Sequence, residues 1–219
     1  MDITWFGHSC FRLRDRAASV VTDPFDRSLG YSLPRVRADI VTVSHDHPHH
    51  NHSGAVNGEF KLVNSPGEYE IHSVFISGTA TYPSRRRLDG ESLEAERNVI
   101  FVFEFEGISV CHLGDLAQMP AQAQIQVLST VDVLLVPVGG GGQCLNAAQA
   151  AEMVSLVEPR LVIPMHFKTD AIASELDRVD RFLKEMGVGQ VEPVDVLKVT
   201  ESSLPQETRV VVLNPMGTA

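Results

Sequence analysis

Residues 44–53 read SHDHPHHNHS, five histidines within eight positions and an aspartate among them. They follow ADIVTV, residues 38–43, a run apolar enough to be a buried β-strand. His45 and His47 are separated by one residue, so in an extended loop both rings point the same way and clasp one ion. His50 lies three positions further on and can turn in from the other side. Imidazole is the commonest protein ligand for zinc, bound through a neutral nitrogen at ~2.0–2.1 Å. A metal site also needs a carboxylate to balance charge and a distant ligand to fix geometry, and Asp115 and His166 are available for these roles. The competing reading is a solvated, histidine-rich loop.

The surrounding pattern favours the first reading. SVVTD ends in Asp23, ISVCHLG leads to Asp115, VDVLLVPV leads to the glycines at 139–142, and LVIPM leads to His166. With His45, five apolar runs each end in residues suited to chemistry, and ligands of α/β sheets sit at the carboxyl ends of strands. One such end is a coincidence; five predict a shared rim.

The remaining elements follow from the same patterns. ITWF, CFRLR, FKLVN and EYEIHSVFISG read as strands, and NVIFVFEFEGISVCHLGD as two strands joined at Glu106 and Gly107. A short helix ends over residues 125–129. Asn146, with Gln149 three residues on, marks a capped helix running to Val157. Residues 174–186 read as an amphipathic helix that Gly187 terminates, and VDVLKVT and TRVVVLN close the chain as strands. The order predicts sheets covered by helices in one domain over residues 1–219.

Composition narrows the functions. No apolar run approaches the ~20 residues of a membrane span, and the first ten residues do not read as a signal peptide. Three scattered cysteines argue against a disulfide framework and for a reduced cytoplasmic setting. A formal charge of −10 argues against nucleic acid, whose binding draws on basic patches. Cys10 and Cys111 read as small buried apolar side chains.

WFGHSCF, TDPF, TVSHDHPHHNH, GEYEI, CHLGDL, VPVGG and IPMHF, in this order, resemble the metallo-β-lactamase superfamily, and within it the small Zn-dependent hydrolases related to L-ascorbate-6-phosphate lactonases. The likeness covers the chain from Ile3 to about Lys168. It implies an α/β (α+β) fold, a four-layer αββα sandwich with one or two metals at one edge. It implies metal ligands at His45, His47, His50, Asp115 and His166. Asp23 and His8 match the site wall, Asp23 as a buttress for a ligating histidine and His8 as a group that polarises substrate or donates a proton. A purely structural turn histidine is the other reading of His8. His112 is expected to pack or hydrogen-bond nearby.

Two positions depart from the family pattern. His49 stands where the signature carries an aspartate, and is a candidate replacement ligand. Pro83 stands where the family places a further histidine, and Glu68, Glu70 and His72 are candidates to fill that gap. The arginines at 85–87 read either as a solvated loop followed by an acidic stretch or, if they overhang the rim, as a cluster that suits an anionic substrate. The implied activity is metal-dependent hydrolysis of a small ester, lactone or phosphoester, with zinc as cofactor and manganese or iron as alternatives. Asp115 would orient the nucleophile. The alternative is a catalytically impaired relative that serves as a binding or assembly protein. A nucleic-acid-processing role is disfavoured by the charge; a homo-oligomer is compatible with everything above.

Overall fold

A computed structural model describes residues 1–82, 97–128, 130–173 and 175–217. Two sheets face each other. The first contains β1 (Asp2–Gly7), β2 (Cys10–Arg14), β3 (Ser19–Thr22), β4 (Ile40–Thr42), β5 (Lys61–Val63) and β12 (Val196–Lys198), in the order β12-β1-β2-β3-β4-β5. The second contains β6 (Gly67–Ile71), β7 (Val74–Thr81), β8 (Asn98–Phe105), β9 (Ile108–His112), β10 (Val133–Pro137), β11 (Leu161–Met165) and β13 (Arg209–Val210), in the order β13-β11-β10-β9-β8-β7-β6.

Strand alternation explains how two sheets build one interior. Ile3, Trp5, Phe11, Leu13, Val20 and Ile40 project from the inner face of the first sheet into a cluster shared with Phe101, Phe103 and Val110 of the second. The neighbours on the opposite face, Phe6, Cys10, Val21 and Val41, enter a separate cluster with Phe25, Leu29, Tyr31 and Val36. Residues two apart share a face, so each strand serves both clusters. The layer outside the first sheet is thus irregular chain with short 3-10 turns at Arg27–Leu29 and Ser53–Ala55. Outside the second sheet, whose strands β10 and β11 are wholly buried, lie α1 (Gln122–Leu128), α2 (Ala147–Val157) and α3 (Val179–Glu185). α2 packs on β10 and touches both other helices. The α/β sandwich expected from the resemblance is present. Among the described residues no helix is long and apolar enough to cross a membrane.

Two expected elements differ. EYEIHSVFISG is a hairpin: Ile71 pairs with Val74, and His72 and Ser73 form the turn with φ of 51° and 61°. Two-residue hairpin turns with both φ positive are usually marked by Asn or Gly, and His-Ser lacks that mark. The helix expected from residue 174 starts only at Val179. Asp177 N–H donates to the Gly139 carbonyl at 2.8 Å and the Asp177 carbonyl accepts from Lys168 at 2.8 Å, which commits that backbone to the loop packed beneath it. Ser174 and Ser129 lie outside the described residues, as do Pro83 and the arginines at 85–87.

Topology decides where the chemistry goes. β1 and β3 each pair antiparallel with β2, and β3 runs parallel to β4. β9, β10 and β11 are mutually parallel. The carboxyl ends of β1, β3 and β4 therefore share one edge of their sheet, and those of β9, β10 and β11 share one edge of theirs.

Candidate metal centre

The two edges meet around Asp115. Its Oδ2 lies 3.1 Å from His166 Nε2, 3.2 Å from His50 Nε2 and 3.7 Å from His45 Nε2. Its Oδ1 is buried without a hydrogen-bond partner among the described residues. Burial alone would favour the neutral acid, but the His166 and His50 imidazoles hold the carboxyl well below the usual range. Asp115 reaches this place through a tight turn after β9. Gly114 sits at φ 59°, where a Cβ would come within 2.2 Å of Asn98 Oδ1, and Asn98 Oδ1 itself accepts from the Asp115 N–H at 2.9 Å.

Each imidazole around Asp115 is held from behind. Asp23, fully buried at the end of β3, accepts from Ser44 N–H at 2.7 Å, Ser44 Oγ at 2.6 Å and His50 Nδ1 at 2.9 Å. Burial raises its pKa, but His112 and the bond to His50 outweigh that and keep it an anion. An anionic Asp23 holds a proton on His50 Nδ1 and so leaves Nε2 as the nitrogen that faces inward, as carboxylates behind ligating histidines do. Ser44 Oγ lies 3.0 Å from His45 Nδ1, and Cys144 Sγ lies 3.5 Å from His166 Nδ1. Burial works against charging His50, yet Asp115 and Asp23 push it up to about 9. His166 is likewise raised by Asp115 and Cys144 against its burial. His45 goes the other way, lowered to about 4 by burial and by His50.

Among the described residues two overlapping groups of three ligand atoms result, His45–His47–His50 and His8–His50–His166, each with its atoms within 4.8 Å of one another. Imidazole nitrogens around a carboxylate oxygen, with a second oxygen unpartnered, form the donor set that zinc-class ions take. The residues therefore fit the group that the family implies.

The expected residues do not all converge. His49 lines the cavity with its ring centroid 5.9 Å from that of His8, but its Nε2 lies 3.1 Å from Ser28 Oγ and it belongs to neither group. His8 is 3% exposed, with its ring centroid 3.8 Å from that of His166 and 4.9 Å from that of His50. Burial, then His166 and His50, push its pKa well below normal. Glu68, Glu70 and His72 are exposed on β6 and its turn and do not line the cavity, so they do not fill the place of the missing histidine. His112 bridges structure, with Nε2 2.8 Å from the Ser9 carbonyl and Nδ1 accepting from Gly114 N–H at 3.2 Å. Cys10 and Cys111 are buried, and burial pushes both thiols up. Gly139 packs on His166, where a Cβ would come within 2.0 Å of its carbonyl oxygen.

Sequence reasoning missed Asn98, Ser44 and Cys144. Asn98 opens a strand that reads as purely structural, and the other two are small residues that become informative only beside a histidine. It also missed a sixth strand end, that of β1, which delivers His8.

The cluster forms one wall of a cavity of about 460 Å³, whose other lining includes Tyr82, Arg97, Gln118, Gly142 and Gln143. Paired sheet edges that carry histidines around a bridging aspartate define a class, and the comparisons agree. Residues 2–166 match the family model described as a beta-lactamase superfamily domain, and the chain belongs to the metallo-β-lactamase superfamily. A Thermotoga maritima crystal structure assigned to that superfamily is 39% identical, with a TM-score of 0.79 and 97% of each chain covered. A UPF0173 metal-dependent hydrolase of Methanoculleus marisnigri is 31% identical over 84% of this chain and 89% of its own. A UPF0173 protein of Pyrococcus furiosus is 29% identical over 85% of this chain and 90% of its own. Kinship with L-ascorbate-6-phosphate lactonases stays at the level of the sequence resemblance.

Proposed function

We propose that the chain is a metal-dependent hydrolase of a small ester, lactone or phosphoester, with a preference for anionic substrates. The convergence of His45, His50 and His166 on one oxygen of Asp115, in the wall of a substrate-sized cavity, carries this reading. When bound, an ion (zinc, with manganese or iron as alternatives) supplies an acidified water and a positive charge beside the substrate oxygen. The protein's own part is positional. Asp23, Ser44 and Cys144 fix the ring orientations of His50, His45 and His166. The unpartnered Oδ1 of Asp115 is the atom available to accept a hydrogen bond from the attacking water and so aim it. The cavity volume lies within the ~300–1,000 Å³ of small-molecule sites. The Arg97 side chain, which also donates to the Asn64 carbonyl at 3.1 Å, brings a cation to its lining and supports the anionic preference.

The competing reading is a binding or assembly protein, favoured by His49 at the position of the family's aspartate, which is engaged by Ser28 and stands outside both groups of ligand atoms. A panel of chromogenic esters, lactones, phosphomonoesters and phosphodiesters, given to metal-loaded protein, separates the two. Turnover by the wild type that disappears in Asp115→Asn supports the hydrolase. A fully loaded protein that turns over no member of the panel supports the binding role.

A further inference from the structure

We infer that His8 is a metal ligand, forming with His50, His166 and Asp115 an ion site from which the loop residue His49 is absent. The inference rests on the metal-centre reading and deepens it by naming a ligand from outside the histidine loop. One ring nitrogen of His8 lies within 4.8 Å of ligand atoms on both His50 and His166. The side chain is all but fully buried, and its Nδ1 has no hydrogen-bond partner among the described residues. An unpaired buried polar atom costs ~1–3 kcal/mol, a penalty that stacking on the His166 ring does not relieve, because stacking uses the ring face.

The backbone is committed to holding this ring in place. His8 adopts φ 52°, uncommon for a residue with a side chain. Its carbonyl accepts from Trp5 Nε1 at 2.9 Å and from the His166 N–H at 3.1 Å. The second bond ties the end of β1 directly to the end of β11, so His8 and His166 are positioned as a pair. His49, the nearest replacement in sequence for the family's aspartate, is engaged by Ser28 instead. The ligand lost from the loop is thus replaced from the first strand. A site of three imidazoles and one carboxylate prefers zinc or cobalt, whereas oxygen-rich sites suit manganese or magnesium.

Cobalt(II) loading of the full chain tests this without an activity assay. Each imidazole bound to cobalt leaves its other nitrogen protonated, and that proton gives a hyperfine-shifted resonance. His8→Gly, which the left-handed backbone accepts, is expected to show one shifted N–H resonance fewer than wild type. It is also expected to lose more than ~100-fold in affinity for one ion, beyond the ~10–100-fold that loss of an orienting neighbour costs. His49→Ala is expected to change neither. Circular dichroism of the metal-stripped proteins checks folding, and His8→Asn replaces His8→Gly if the latter does not fold. An unchanged resonance count and affinity in the His8 variant, or the loss of a resonance in His49→Ala, overturns the assignment. Failure of the wild type to bind cobalt would overturn the metal centre itself, a result distinct from an error about His8 alone.

Discussion

A carboxylate buried behind a histidine decides which ring nitrogen carries the proton, and Asp23 does this for His50. Removing it leaves His50 free to flip or change tautomer, and leaves two Ser44 donors unpaired. Asp23→Ala is therefore expected to weaken metal binding ~10–100-fold, measured by competition with a chromogenic chelator. A second consequence concerns protons. His50 is pushed up to about 9, so in metal-stripped protein at neutral pH it is protonated, whereas a ligand nitrogen must be bare. Ion uptake at pH 7 then releases protons, and apparent affinity rises with pH until His50 and His166, both raised by Asp115, have titrated. Calorimetry in buffers of different ionisation enthalpy measures that release; uptake without release would contradict it. At this scale the sequence was informative for residues whose type alone suggests ligation, such as His45, Asp115 and His166. It was silent on Asn98 and Cys144, whose roles come only from what lies beside them in space.

Among the elements, α2 was the most legible, because its start is written in local chemistry. Asn146 accepts from Gln149 N–H at 3.0 Å while Gln149 Oε1 accepts from Asn146 N–H at 3.1 Å, the reciprocal cap its spacing predicts. Asn146→Ala is expected to cost ~1 kcal/mol in denaturant unfolding, with metal content unchanged because the cap lies apart from the histidines. Gly114→Ala should do the opposite kind of damage. Its φ of 59° and the 2.2 Å approach to Asn98 Oδ1 leave no place for a methyl group, so the turn that presents Asp115 must shift. Reduced metal content together with reduced stability is expected there; a fully loaded, stable Gly114→Ala would show that the turn tolerates movement. The β6–β7 hairpin and the late start of α3 were illegible for related reasons. A His-Ser turn carries no glycine signal, and the backbone of residue 177 is drawn out of a helix by a partner 38 positions away.

Across the whole molecule, the site joins six strand ends from two sheets, so an ion bound there would cross-link halves of the fold that are distant in sequence. An ion that binds only the folded state stabilises it by ~2.7 kcal/mol at a concentration 100 times its Kd. Chelation is accordingly expected to lower the melting temperature, and zinc to restore it; a melting temperature indifferent to both would place the ion outside the fold's stability. The sandwich itself was legible because the family's motifs recur in order at strand ends. What brings His8 to the site was not, since it depends on β1 running parallel to β3 two strands away, a fact of topology rather than of any local motif.

Metal content per chain, determined by elemental analysis on protein purified without a histidine tag or chelator, tests the metal centre most directly. About one or two ions per chain are expected in the wild type, lost or sharply reduced in both His47→Ala and Asp115→Ala. A content near zero, unchanged after incubation with zinc, manganese or iron, would contradict it and leave the histidines as the remains of a site.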